Sequence, residues 1–133
     1  MSLVLTTTTN PGTAAWTDAT TLPATRLPFT VVNMAGSTYN IPNGDSRFIL
    51  FTLDAPGNTI VLPSAVSNPG VTLTLCAIST DAATVQPSGT DSLGPYGTPL
   101  TLDAAASPRV LQLVSVPAAA QTGQNYWMLV ASE

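Results

Sequence analysis

Residues 58–80 read NTIVLPSAVSNPGVTLTLCAIST, two β-prone runs with a forced turn between them. Thr59 to Leu62 is the shorter run and Val71 to Ile78 the longer. Between them Ser67-Asn-Pro-Gly70 obliges the chain to turn, because proline fixes φ and glycine supplies a positive φ. In the longer run Val71, Leu73, Leu75 and Ala77 point one way, and Thr72, Thr74 and Cys76 the other. That period of two marks a half-buried strand.

Upstream, Arg47 to Leu53 (RFILFTL) is apolar on both faces, with Ile49, Phe51 and Leu53 set against Phe48 and Leu50. A strand of this kind belongs inside a sandwich or at a subunit interface, not at an open edge. Ala55-Pro-Gly-Asn58 turns the chain out of it. Earlier still, Phe29 to Val32 and Ser37 to Ile41 are short strand candidates, followed by Pro42-Asn43-Gly44-Asp45, whose Asn-Gly pair is a hairpin signal. Downstream, Ala83 to Gln86, Pro99 to Asp103, Arg109 to Val116 and Asn125 to Ala131 are further strands. They are separated by Pro87-Ser-Gly-Thr-Asp91, a Gly-Pro-Tyr-Gly turn over 94–97, and a small polar loop over 117–124. Short strands, frequent Pro and Gly, and no convincing helix give an all-β fold: a β-sandwich or jelly-roll-like domain, or a small barrel.

Residues 1–28 differ. The β-prone Leu3-Val-Leu5 runs into Thr, Ala and Pro, and only Leu3, Leu5, Trp16, Leu22 and Leu27 offer anchors. Composition alone favours a low-complexity tail. We read it instead as an extended N-terminal arm that lies on a partner, anchored by Trp16, with the all-β domain spanning 29–133.

Charge is scarce. Only 8% of the 133 residues are charged, against roughly a quarter in ordinary soluble domains. There is no Lys and no His, the cations are Arg26, Arg47 and Arg109, and the formal net charge is −4. A phosphate-binding surface needs clustered Lys or Arg, so nucleic acid is not an expected partner. Edge strands of free β proteins are guarded by charge, especially Lys. Here that protection is missing, and the edges are expected to be paired or covered. No apolar run approaches the roughly 18 residues of a membrane span, and the first ten residues lack a basic leader. The expectation is synthesis in a cytoplasm without export.

Catalysis finds no support. Without His or Lys there is no triad, no imidazole base and no Schiff base. One Cys and no His cannot build a zinc site, and Cys76 reads as a buried, inert thiol. Asp45, Asp54, Asp81, Asp91 and Asp103 all sit beside turns, where Asx hydrogen bonding is their ordinary role. A carboxylate pair for glycoside hydrolysis or an oxygen cage for calcium would need those same residues, and no spacing favours either. No catalytic, cofactor or metal residues are assigned. Tyr126 and Trp127 could stack on a sugar, but their apolar strand makes core or interface the better reading. Tyr96, in a tight turn, is the candidate exposed tip.

Residues 58–131 resemble a segment of tailed-bacteriophage structural proteins. The likeness rests on an ordered set: Ile60-Val-Leu-Pro63, Ser67-Asn-Pro-Gly70, the Thr-alternating strand Val71 to Ile78, Pro87-Ser-Gly-Thr-Asp91, Val110 to Val116 and Asn125-Tyr-Trp127. The usual form carries Lys or Asn in the second strand and Asp-Gly before the Trp. This chain has Leu75-Cys76-Ala77 and Gln124-Asn125 there. The resemblance implies a trimeric capsid decoration (cement) protein on the outside of the virion, with the major capsid protein as partner. The alternative it implies is a tail-fibre or receptor-binding module that takes host glycan near Tyr96. On the first reading Leu3, Leu5, Trp16, Leu22, Leu27, Phe48 and Leu50 are the interface residues. No cofactor, nucleic acid or membrane enters either reading.

Overall fold

The structure, a computed structural model of the chain, describes residues 4–6, 15–17, 28–94, 99–117 and 124–133. Its strands are β1 (Val4–Thr6), β2 (Ala15–Thr17), β3 (Phe29–Met34), β4 (Thr38–Asn40), β5 (Arg47–Leu53), β6 (Asn58–Val61), β7 (Thr72–Ser79), β8 (Ala82–Gln86), β9 (Ser92–Gly94), β10 (Leu100–Asp103), β11 (Val110–Val116) and β12 (Tyr126–Ser132). The expected all-β sandwich is what forms: a six-stranded sheet in the order β3-β5-β7-β11-β12-β9 faces a four-stranded sheet in the order β10-β8-β6-β4. Within the arm range, β1 and β2 pair antiparallel with each other, Leu5 directly opposite Trp16.

From β3 to β8 the chain changes sheet at every strand, and the neighbours it lays down in each sheet are parallel. β3, β5 and β7 run side by side in one sheet, and β4, β6 and β8 in the other. The chain therefore winds as three stacked coils, β3–β4, β5–β6 and β7–β8. The register carries Phe29 onto Phe48, a step of 19 residues, and Arg47 onto Leu73, a step of 26. The last strands close one end: β11 and β12 are antiparallel beyond β7, β9 lies parallel to β12, and β10 is antiparallel to β8.

Alternation decides which residues fill the space between the sheets. Ile49, Phe51 and Leu53 of β5, Leu73, Leu75 and Ala77 of β7, and Leu111 and Leu113 of β11 point inward and are buried. They meet Ile60, Ala83, Val85 and Leu102 of the smaller sheet. Tyr39 packs edge-on against Phe51 with ring centroids 5.9 Å apart. Trp127 is fully buried, and its indole Nε1–H donates to the Pro63 carbonyl at 2.8 Å. Its ring is core and out of reach of a sugar. β5, flanked by β3 and β7, has the interior place its two apolar faces demanded.

Two buried asparagines hold the coils at their corners. The Asn58 carboxamide accepts from Gly36 N–H at 2.8 Å and donates to the Ala55 and Ala82 carbonyls at 2.6 and 3.2 Å, one contact in each coil. At the opposite corner Asn68 accepts from Gly44 N–H at 2.9 Å and donates to Asn43 Oδ1 and the Ser64 carbonyl. The turn expected at Ser67 to Gly70 forms within a longer one over 65–70, with Asn68 N–H bonded to the Ala65 carbonyl and Gly70 at φ +70°. Asp91 joins the same corner through its Oδ2, which accepts from Ala65 N–H at 2.8 Å. Asp103 caps its own turn, accepting from Ala105 and Ala106 N–H.

The hairpin expected at Asn43-Gly44 does not form. β4 and β5 lie in different sheets. A type I′ hairpin needs positive φ at both central residues, and Asn43 does not adopt it. The pair is instead consumed by Asn68. Strand β9, which the sequence hid between two turn signals, is the other departure.

Replacing Asn58 with Ala strands a Gly36 N–H and two carbonyls, at about 1–3 kcal/mol for each buried group left without a partner. The expected result is a lower urea midpoint with an unchanged slope. An unchanged midpoint would show that the coils do not depend on this side chain.

Candidate interaction surface

The outward residues of the six-stranded sheet follow from the same alternation. They are Phe29 and Val31 on β3, Phe48, Leu50 and Thr52 on β5, and Thr72, Thr74, Cys76 and Ile78 on β7. β11 adds Val110, Gln112, Val114 and Val116, and β12 adds Tyr126 and Met128. The register adds Asn33 and Ala131 to this face, and among its described residues the ionic side chain is that of Glu133, opposite Val110. Phe29 and Val31 are 61% and 50% exposed. Phe29 stacks on Phe48 across the strand pair, with ring centroids 5.7 Å apart and planes 23° from parallel. Leu50, Cys76 and Val110 stand opposite one another in consecutive register. Glu133 closes one corner, beside a shallow depression of about 190 Å³ that Thr74, Val110, Gln112 and Ala131 also line. That is smaller than the roughly 300–1,000 Å³ of a typical small-molecule site.

Five strands about 4.8 Å apart, with about seven residues each at roughly 3.3 Å rise, span a face on the order of 550 Å². Two such faces pressed together bury on the order of 1,100 Å², just above the ~1,000 Å² that separates specific interfaces from incidental contacts. The opposite side of the sandwich is different. There the register sets Thr38, Thr59, Thr84 and Thr101 in one row across all four strands. That face is small and polar.

Phe48 and Leu50, singled out from the sequence, lie side by side on the apolar face as half-buried neighbours. Leu3, Leu22, Leu27 and Tyr96 lie outside the described residues, and Leu5 and Trp16 are placed only as backbone in β1 and β2. Cys76 is not the core thiol the strand pattern suggested. It alternates outward with Thr72 and Thr74 and is partly exposed in the middle of the face. Phe29, Val31, Val110, Val114 and Met128 were not singled out. Their alternation was legible, but not which strands would become neighbours. Among the described residues no group of three or more His, Cys, Asp and Glu side chains lies together to hold a metal. Asp54 and Asp81 are engaged by hydroxyls, Asp54 Oδ1 accepting from Ser79 Oγ at 2.6 Å and Asp81 Oδ2 from Thr80 Oγ1 at 3.0 Å.

No protein-family model, curated protein or solved structure matches this chain.

Cys76 is the chain's single cysteine, which makes it a reporter for this face. A water-soluble maleimide should modify it in dilute folded protein and more slowly once concentration drives association. A thiol that reacts only after unfolding would contradict the outward placement.

Proposed function

We propose that the protein is a structural subunit that acts through permanent, non-covalent contacts. The observation that carries this reading is the largely apolar outer face of the six-stranded sheet, on which Glu133, at one corner, is the ionic side chain among the described residues. Permanent interfaces are apolar and poor in charge, whereas solvent-facing sheet surfaces in free proteins are polar. The whole face, its threonines and Gln112 included, is about the size of the largest patch that monomers expose, roughly 300–600 Å², and such patches are often functional.

The assembly we propose is a phage virion, with the chain as a trimeric decoration protein on the capsid exterior and the major capsid protein as its partner. This second step is supported by the resemblance of residues 58–131, which make up strands β6 to β12, together with the want of ionic groups. A decoration protein resists the outward pressure of packaged DNA by burying area across seams between subunits, and it needs no reacting group. Phe48 and Leu50 are the described residues that fit this role best.

Leu50→Asp places a carboxylate at the centre of the face without entering the core. Burying it unpaired should weaken association on the order of a hundredfold, because desolvating a lone charge costs several kcal/mol. Co-sedimentation with decoration-free heads of the source phage should be lost, while the circular dichroism of the variant stays that of the parent. Undiminished head binding by Leu50→Asp would overturn the use of this face. Binding to host glycan and not to heads would replace decoration with the tail-module reading.

A further inference from the structure

The three coils are closed at one end only. At the other end the first coil ends in β3 and β4, the outermost strands of their sheets. β3 is the more exposed edge. Its ladder with β5 ends in two bonds, Phe48 N–H to the Pro28 carbonyl at 2.9 Å and Asp54 N–H to the Met34 carbonyl at 3.1 Å. With parallel register between them, these bonds fix the phase of the strand. Thr30, Val32 and Met34 turn their peptide groups toward β5, and Phe29, Val31 and Asn33 turn theirs outward. Among the described residues nothing pairs with that outward row.

Natural edges are blunted by charge, proline, bulges or shortness. The other edge strands have such protection: β4 and β9 are three residues each, and β10 carries Asp103. β3 has six residues, no register shift against β5, no internal proline and no charge. The charge-free run around it extends from Leu27 to Gly44 in a chain of net charge −4. A partner recognised by charge would require ionic groups there. A second copy of the same edge meets it with no like-charge repulsion.

We propose that β3 is a strand-pairing site for β3 of a second copy, joined antiparallel about a two-fold axis at Val31. This register sets Val31 against Val31 of the other copy and Phe29 against its Asn33. All the outward amides and carbonyls of the strand then find partners. It also brings the Phe29, Val31, Phe48 and Leu50 cluster of each copy beside that of the other, so the apolar faces become one continuous surface. The edge and the face are separate. Pairing along β3 leaves the face open and doubles whatever assembly the face builds, so the pairing stands or falls independently of the capsid reading.

The test uses the full chain. Val31→Pro removes an outward N–H that the β5 ladder does not use, and proline is tolerated at such an edge position. Because the axis repeats the loss, the edge dimer should weaken at least about tenfold, read by sedimentation equilibrium, with the thermal transition at low concentration retained. Should the proline variant fail to fold, Val31→Cys with Cys76→Ser carries the test. A hydrogen-bonded antiparallel pair sets Cα atoms about 5.5 Å apart, within the span of a disulfide, so mild oxidation should link two copies through position 31. No covalent dimer together with an unchanged mass for Val31→Pro would overturn the proposal. Cross-linking that maps position 31 onto residues 1–27 would overturn it too, by giving the edge to the arm.

Discussion

The side chain of Asn58 touches three successive turns of the winding at once, and the architecture follows from contacts of this kind. Parallel strands cannot be joined by tight hairpins, so each coil must cross from one sheet to the other and back. Its corners would otherwise leave peptide groups buried without partners. Asn58 and Asn68 supply those partners at the two corners. The 62–71 loop extends the arrangement toward the closing strands, through Pro63 to Trp127 and through the Ala65 carbonyl to Ser115 Oγ. A carboxamide suits this task because it donates and accepts with the same planar group, and it does so without introducing charge into a chain that has little.

Stacked coils produce two outer faces of unlike character. The smaller sheet turns threonines outward, in register from strand to strand. The larger one turns out Phe, Val, Leu and Met with Thr52, Thr72, Thr74 and Gln112 between them, and Glu133 sits at its corner. Register runs without a shift from β3 through β5 and β7 to β11, and slips only between β11 and β12 at Gln112/Leu113, so outward residues line up as stripes across those strands. Leu50, Cys76 and Val110 form one such stripe and Phe29 with Phe48 another. A monomer would expose this surface to water. A subunit would bury it, and the area is about what one stable interface requires. The two open coil edges lie at the same end of the stack.

Much of this was legible in the residues. Alternation in 71–78 put Val71, Leu73, Leu75 and Ala77 on one side, of which the last three are core and Val71 packs against it. The double-sided apolar run 47–53 predicted a strand inside a sandwich or at a subunit interface, and Pro-Gly chemistry located the turn at 67–70. What could not be read was pairing. Coils of 19 and 26 residues have no common period, so no repeat shows in the sequence, and a turn between sheets uses the same residues as a hairpin. Asn43-Gly44 illustrates the ambiguity: its local preference is satisfied by Asn68, a partner 24 or 25 residues away. Cys76 was misjudged for the same reason. An outward position on a strand becomes surface or interior only when it is known what lies over it. The outer face was legible at Phe48 and Leu50, whose strand is apolar on both sides, and not at Val110 or Met128, which join that face through pairing alone.

Solution mass as a function of salt tests the central claim most directly. An assembly held by uncharged apolar surface has no ionic pairs for salt to screen. Sedimentation equilibrium of the unaltered protein should give the same oligomer from low to molar sodium chloride, and a tighter one in sulfate, which strengthens apolar burial. A monomer at every concentration, or an oligomer that falls apart as sodium chloride rises, would contradict the account.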